Sequence, residues 1–184
     1  KDGPKNDKRD SATLCKLLRN GLLKEVYHSN DKLFELRKFV SVYLDFVKAS
    51  VRIQNQHSAL YRAIGKKARV DKKLKFEGKI LNFIHELQRD KIMYLKEARD
   101  KFEEKIDEYV KDNSEMRRLI KISGIGKKLA VMIVSAVIDM NRFENKYYFW
   151  SYCGLVSYER ESGGRIYGRR KPRYSRLLKG VFKT

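Results

Sequence analysis

The chain has few of the residues that build disulfide frameworks, rigid turns or membrane spans. Its 184 residues include only two cysteines and two prolines, which excludes a disulfide scaffold and a cysteine-rich zinc site. The longest apolar run, residues 129–138, is half of the roughly 20 residues that a membrane-spanning helix needs. No signal peptide is recognisable. These absences predict a soluble protein without a membrane span, in a reducing, cytoplasmic compartment.

Positive charge is the feature that the sequence has in excess. It contains 43 Lys and Arg against 23 Asp and Glu, a formal net charge of +20, with 42% apolar residues, enough for a folded core. Residues 115–184 hold 16 basic and 5 acidic side chains, and residues 165–184 hold eight basic and no acidic ones. This distribution predicts a polyanionic partner, DNA or RNA, that contacts mainly the C-terminal part of the chain.

The middle of the chain has the apolar spacing of long helices. A 3–4 repeat is carried by Leu33, Leu36, Val40, Tyr43 and Val47. The repeat becomes polar at Gln54, His57 and Ser58, and Gly65 marks a break. A second helix is expected from about Lys72 to Asp112, with one apolar stripe. The two helices predict an antiparallel hairpin, and because their stripes are more extensive than one pair can bury, a coiled-coil homodimer.

A glycine turn follows a short helix that Ser114 is expected to cap. The turn lies before an apolar helix, and its sequence brings backbone N–H groups and two cations to one place. This is the helix-hairpin-helix arrangement, which grips a nucleic-acid backbone without reading base sequence. The alternative is an ordinary turn between core helices. The residues expected to contact nucleic acid here are Gly124, Gly126, Lys127 and Lys128.

Two carboxylates near the N-terminus are spaced as on one face of a helix. Asp7 and Asp10 are three residues apart, so a helix that begins near Asp7 would present both on the same side. Hard oxygen ligands of this kind bind Mg²⁺ in two-metal phosphoryl transfer. The sequence offers no obvious further ligands nearby, and the alternative is a plain acidic first turn.

A serine lies in a glycine-rich segment that basic residues follow. Ser162 precedes Gly163 and Gly164 in a stretch that predicts a loop or an irregular hairpin. Clustered cations would stabilise a pentacoordinate phosphorane, which suits a serine that attacks a phosphodiester with the 3′ oxygen leaving. No histidine lies in the local motif to act as a base, and a basic loop that only touches phosphate is the alternative. The cations are Arg165, Arg169, Arg170, Lys171 and Arg173.

Aromatic and histidine side chains have more ambiguous patterns. A dense aromatic run could stack on bases, although such runs at helical spacing are more often core; it comprises Tyr147, Tyr148, Phe149, Trp150 and Tyr152. The three histidines have no metal-ligand spacing and are interpreted as surface or packing residues; they are His28, His57 and His85. Cys153 is expected to be a small buried side chain.

Taken in order, these motifs resemble the C-terminal transposase domain of the insertion-sequence one-ten family. The matching residues are Gly124-Ile125-Gly126, Asp139 with Arg142-Phe143, Tyr152-Cys153-Gly154-Leu155 and Ser162-Gly163. The stretch KNDKRDSATLCKLL, which contains Asp7 and Asp10, is similar to the end of the family's RuvC-like domain. The following linker and helical hairpin also fit the family.

The resemblance implies a DNA transposase or site-specific recombinase that a structured non-coding RNA guides. Asp7 and Asp10 match the last two acidic residues of the family's DEDD site for Mg²⁺, and Ser162 matches its nucleophilic serine. The coiled coil would pair protomers so that serine and carboxylates act between subunits. A prokaryotic cytoplasm, with nucleoid association when DNA is bound, is the expected location.

Two departures from the family pattern carry their own expectations. The first Asp and the Glu of the DEDD set would precede Lys1, so this chain alone is expected not to catalyse recombination. Lys171-Pro172-Arg173 replaces the family's Lys-x-Gly turn, and the following helix stops at Thr184, which is expected to alter the substrate loop and destabilise the domain.

The sequence therefore predicts a mostly α protein with a long antiparallel helical hairpin and a small α-rich transposase domain. Residues 1–30 would be a RuvC-like remnant and linker, residues 31–113 the coiled coil, and residues 114–184 an incomplete transposase domain. The rival interpretation is a non-enzymatic coiled-coil protein that binds DNA or RNA through a helix-hairpin-helix tip. Loss of Ser162 would abolish chemistry but spare binding in the first case, and do almost nothing in the second.

Overall fold

The computed structural model describes residues 6–23, 33–67, 76 and 78–183. These residues form mostly α-helix and one two-stranded sheet, which confirms the predicted fold class. The chain divides into two compact units, Lys1–Asn30 and Asp31–Thr184. Among the helices of the described ranges, none combines the length and apolar character that a membrane crossing requires.

The first unit contains helix α1 (Asp7–Arg19). It begins where Asn6 Oδ1 accepts a hydrogen bond of 2.9 Å from the Lys8 amide, which satisfies one of the free N–H groups of the first turn. No side chain of α1 is buried. The predictions for His28 and for most of the linker fall on residues 24–32, which lie outside the described residues.

The second unit begins with two long helices, α2 (Phe34–Arg62) and α3 (Lys79–Asp112). The start of α2 contacts the end of α3, and the end of α2 contacts the start of α3. The ring of Phe39 meets that of Tyr109, whereas Tyr61 Oη lies 2.9 Å from His85 Nε2. The predicted antiparallel hairpin is therefore confirmed.

Helix α3 begins at Lys79 and not near Lys72 as the sequence indicated. Gly78 precedes it in an extended conformation, φ −96° and ψ 133°. The Asn82 side chain accepts from the Phe76 amide at 2.6 Å and donates to the Phe76 carbonyl at 2.5 Å. Because these bonds occupy the backbone groups of Phe76, the helical hydrogen-bond ladder does not extend back through it. Residues 68–75 and 77 lie outside the description.

The seam between α2 and α3 is apolar, as its spacing predicts. Leu36, Val40 and Tyr43 are buried, and the Phe102 ring of α3 packs against neighbouring rings of α2. Where the repeat becomes polar, the side chain of His57 is still part of the packed seam. His57 is only 1% exposed, and its ring stacks on His85 with centroids 5.3 Å apart. Both histidines are thus packing residues.

Two further helices, α4 (Ser114–Ile120) and α5 (Lys127–Val137), pack across the base of the hairpin. The N-cap of α4 is Asn113 rather than the expected Ser114, because Asn113 is the last residue with extended backbone and its Oδ1 accepts from the Met116 amide at 2.9 Å. A single core joins all four helices; its buried members are Leu36, Val40, Tyr43, Ile106, Val110, Met116, Ala130, Val131 and Val134. The boundary at residues 113 and 114 stays a prediction.

The C-terminal part continues with short elements around a second core. A 3₁₀ helix (Met140–Arg142) leads to α6 (Lys146–Tyr152), strands β1 (Tyr158–Ser162) and β2 (Arg165–Arg170), and α7 (Arg176–Val181). The buried residues of this core are Ile133, Val137, Cys153, Leu178 and Val181. The burial expected for Cys153 is confirmed, and burial raises the pKa of its thiol to about 11.

Candidate catalytic hairpin and nucleic-acid surface

Ser162 lies at the tip of an antiparallel hairpin formed by β1 and β2. Gly163 and Gly164 form the two-residue turn with φ of 59° and 73°. Both values lie in the left-handed region that glycine adopts at little cost, and two-residue turns of this type match the twist of the flanking strands. Ser162 pairs with Arg165 across the turn and is exposed. The predicted irregular hairpin is confirmed.

The hairpin has one face that carries Ser162 together with cations. Residues directly opposite in an antiparallel pair share a face, and alternate residues of a strand return to it. The register shifts between Arg160 and Glu161, so that Tyr167 is an extra residue in β2. We call the resulting surface the serine face; its members are Tyr158, Arg160, Ser162, Arg165, Gly168 and Arg170.

The opposite face of the hairpin carries the acidic residues. Glu159 and Glu161 alternate with the serine-face residues of β1, and Arg169 is paired with Glu159. The Arg169 Nη2 atom lies 3.1 Å from Glu159 Oε1. Sequence reasoning grouped Arg169 with the cations near Ser162 and missed Arg160. The alternation of Arg160 and Ser162 in β1 was the signal that could have found it.

The base of the hairpin is fixed to α6 and α7. The Ser175 amide donates to the Tyr152 carbonyl at 2.8 Å. Gly154, at φ 69°, lies so close to Tyr174 that a Cβ on it would be 2.9 Å from two ring carbons. Since the chain segments before β1 and after β2 are held together in this way, the hairpin projects from a fixed base.

A group of cations surrounds Tyr174 at this base. Lys179 Nζ donates to Tyr174 Oη at 3.0 Å and lies 4.4 Å from the ring centroid. A side-chain hydrogen bond with Lys179, together with the positive charges of Lys179 and Lys183, lowers the pKa of Lys171. Cations so close together repel one another, and an anion such as phosphate would relieve that repulsion.

Helix α6 presents part of its aromatic run to solvent. Tyr147, Tyr148 and Trp150 are 62%, 55% and 40% exposed. Phe149 and Tyr152 are half-buried and pack against the second core. The expectation that the run is core is therefore wrong for the three exposed rings, because a single short helix lies on the core along one side only.

The glycine turn connects α4 to α5, as predicted. Gly124 has φ 87°, and a Cβ on it or on Gly126 would meet no atom within 4 Å, so the turn is open. Both lysines, however, are in ion pairs with α3. Lys127 Nζ lies 2.9 Å from Asp107 Oδ1, and Lys128 Nζ lies 2.5 Å from Glu103 Oε1. The Lys127 pair is exposed and hence weak, whereas the Lys128 pair is partly buried, and a phosphate would have to displace both carboxylates.

Asp7 and Asp10 lie in the first turn of α1, and both are exposed. Their spacing puts the two carboxylates on one side of the helix. Within the described residues, no group of three or more His, Cys, Asp or Glu side chains could hold a metal ion. Two carboxylates are oxygen donors of the kind that Mg²⁺ takes, but alone they do not complete its octahedral shell.

The serine face and its cations form a basic surface whose chemistry suits a phosphodiester. Residues 116–184 match the model of the Transposase IS116/IS110/IS902 family. This C-terminal part of the chain is therefore similar to transposases of that family, in agreement with the resemblance found there in the sequence. The description of that family is transposase, a class of proteins that act on DNA. None of the curated proteins matches the chain.

Proposed function

We propose that this chain contributes the nucleophile of a DNA transposase. Ser162 Oγ attacks the phosphorus of a DNA phosphodiester, an O–P bond forms, and the bond from phosphorus to the 3′ oxygen breaks. The products are a phosphoserine joined to one DNA end and a free 3′-hydroxyl on the other. The observation that carries the proposal is the position of Ser162 on one face of the hairpin with Arg160, Arg165 and Arg170.

These arginines supply the charge stabilisation that the step needs. The attacked phosphorus gains negative charge on its oxygens in the transition state, and guanidinium groups donate short, charge-assisted hydrogen bonds to such oxygens. Arg165 is placed by direct backbone pairing with Ser162. Glu159 and Glu161 are on the other face, so they do not repel the phosphate at the serine.

The proton that Ser162 loses balances the proton that the departing 3′ oxygen takes up to become a hydroxyl. Within the described hairpin that face has no carboxylate and no imidazole. Asp7 and Asp10 would supply two oxygen ligands to Mg²⁺, a cation that neutralises charge on phosphate oxygens when it is bound. This role for the two aspartates rests on the resemblance and on their shared helix face.

A dimer and a guide RNA complete the proposed assembly. On the side of α3 opposite the α2 seam, apolar side chains at heptad-like spacing are exposed: Ile80 at 75%, Phe83 at 61%, Leu87 at 54% and Tyr94 at 62%. A second copy of the hairpin would bury this stripe, as in a coiled coil. The excess of 16 basic over 5 acidic side chains in residues 115–184 favours the binding of nucleic acid, including a guide RNA.

The decisive test looks for a covalent protein–DNA product. This chain would be joined to a RuvC-like region carrying the other two acidic residues, then mixed with candidate RNA, Mg²⁺ and labelled DNA, and separated on a denaturing gel. We expect an adduct that disappears in Ser162→Ala and persists in Ser157→Ala, an exposed serine just before β1. DNA and RNA binding without any adduct would overturn the serine assignment and favour a protein that only binds nucleic acid.

A further inference from the structure

A surface pocket beside α6 has a composition that differs from the rest of this basic region. Its volume is about 300 Å³, at the lower limit of small-ligand pockets, which span about 300–1,000 Å³. Its walls combine flat groups, a carboxylate and a hydroxyl. The groups that matter here are those of Arg142, Glu144, Tyr148, Ser151, Tyr152 and Arg173.

The flat groups of the pocket are held for stacking. The Arg142 guanidinium lies 4.6 Å from the ring centroids of both Phe143 and Tyr152, and donates to the Ala136 carbonyl at 3.4 Å. It is therefore fixed in position. Tyr148, 55% exposed, presents its ring at the edge of the same pocket. Aromatic rings and guanidinium planes are the groups on which proteins stack unpaired bases.

The carboxylate of Glu144 decides between a base and a phosphate. A carboxylate repels a phosphate, whereas it accepts a hydrogen bond from the exocyclic amino group of a base such as cytosine. Glu144 is one of only five acidic residues in residues 115–184. The pocket thus suits the edge of an amino-bearing base, while the surrounding cations suit the backbone.

The pocket is connected to the serine face through one contact. Ser151 Oγ, in the pocket wall, lies 3.4 Å from Tyr158 Oη on the serine face. Tyr158 precedes Ser162 by four strand residues, a separation of about 13 Å at about 3.3 Å per residue. A strand with its phosphodiester at Ser162 can therefore reach the pocket within a few nucleotides.

We infer that this pocket binds an unpaired, amino-bearing base of the DNA strand whose phosphodiester lies at Ser162. The inference rests on the proposed function for its position along the strand. A base inside a duplex cannot enter, because its amino group is paired and its faces are stacked on neighbouring bases. The pocket thus selects a strand that is locally opened near the attacked bond.

Binding of short labelled homopolymers to the intact chain tests the inference without any reaction. We expect oligo-deoxycytidine to bind more tightly than oligo-thymidine, whose bases lack an amino group. Tyr148→Ala should weaken oligo-deoxycytidine binding about 5- to 100-fold, the loss of one stacked base. The matched control is Tyr147→Ala, since Tyr147 is exposed on the same helix but does not line the pocket. It should change binding less than about twofold.

Two further variants separate stacking and hydrogen bonding from misfolding. Tyr148→Phe keeps the ring and should bind like the original chain. Glu144→Gln offers a donor as well as an acceptor, so it should reduce the preference for cytidine over thymidine. Equal binding of the two homopolymers, or equal losses in Tyr147→Ala and Tyr148→Ala, would overturn the inference. If only oligo-cytidine RNA depended on Tyr148, the assignment to DNA would be wrong.

The outcomes also distinguish this inference from the proposed function. Cytidine-selective binding that depends on Tyr148, without any covalent adduct in the gel test, would support the pocket and overturn the serine step. If an adduct forms that needs Ser162, but the Tyr148 and Glu144 variants bind the homopolymers as the original chain does, the serine step is supported and the base-binding pocket is overturned.

Discussion

Arg165 lies directly opposite Ser162 across the two-residue turn of the hairpin. Backbone pairing sets this position, so the Arg165 side chain leaves the strand on the same face as Ser162. The same register puts Arg169 on the other face, where it bonds to Glu159 at 3.1 Å. The two arginines are four residues apart and have different surroundings, which makes them a matched pair for experiment.

Replacing Arg165 should slow the formation of the serine–DNA adduct. Removal of one charge-stabilising donor typically lowers a catalytic rate about 10²–10³-fold, and we expect this loss in Arg165→Ala. Arg169→Ala should leave the same rate almost unchanged, because its side chain lies on the other face and saturating DNA masks weaker binding. The measurement is single-turnover adduct formation at saturating DNA. Equal losses in both variants would contradict the assignment of faces.

Gly154→Ala should destabilise the C-terminal part of the chain. The new Cβ would lie 2.9 Å from carbons of the Tyr174 ring, and alanine would have to adopt φ 69°. Overpacking and left-handed backbone together predict a loss of about 2–4 kcal/mol in the free energy of unfolding. Gly168→Ala is the control, because a Cβ at Gly168 meets no atom within 4 Å. Urea unfolding should show a near-neutral effect for the control, and an equally small effect in Gly154→Ala would contradict the prediction.

The buried histidine pair should make the stability of the helical hairpin depend on pH. Burial, with the nearby His85, lowers the pKa of His57 below its usual 6.5. The pair consists of His57 and His85, and Tyr61 and the charge of Arg89 lie close to it. Below about pH 6.5 the unfolded chain binds a proton at His57 that the folded chain resists, so the free energy of unfolding falls as the pH falls.

Thermal unfolding between pH 7 and pH 5.5 measures this effect, in a range where histidines titrate and most carboxylates do not. We expect the melting temperature to decrease towards pH 5.5 in the original chain and to change less in His57→Gln. A decrease of the same size in both chains would assign the pH dependence to other groups.

Leu87→Lys should prevent dimer formation without unfolding the chain. Leu87 is 54% exposed on the side of α3 away from α2, so a monomer loses little by its replacement. In a dimer the lysine would be buried in an apolar contact without a partner, which is costly. Sedimentation should show a dimer for the original chain and a monomer for Leu87→Lys. Asp100→Asn changes the net charge equally at an exposed position of the same helix and should remain dimeric.

The sequence predicted the elements of the fold better than their orientation. The apolar spacing of Leu36, Val40 and Tyr43 was sufficient to predict the hairpin, since a helical repeat has few alternative interpretations. The cap of α4 was misplaced by one residue because Asn113 and Ser114 are both good capping residues, and only the backbone angles distinguish them. The aromatic run on α6 was misjudged because two turns of helix do not show which side meets the core.

The candidate site was predictable in composition but not in arrangement. Ser162 and the basic residues after it are evident from the sequence, as is the glycine turn. That Lys127 and Lys128 pair with carboxylates of α3 depends on how α5 packs across the hairpin, which local sequence does not encode. Arg160 and Arg169 lie on opposite faces because of a register shift that the local sequence does not predict.

The extra residue at Tyr167 changes which residues of β2 lie on each face: after it, the alternation of side chains is shifted by one position. In a regular strand, residues an odd number of positions apart point to opposite sides, yet Arg165 and Arg170 share the side of Ser162. Removing Tyr167 would leave every cross-strand partner unchanged and straighten the strand. A hairpin of this kind without the extra residue would therefore need its second arginine four positions after the first to keep the same two charges beside the serine.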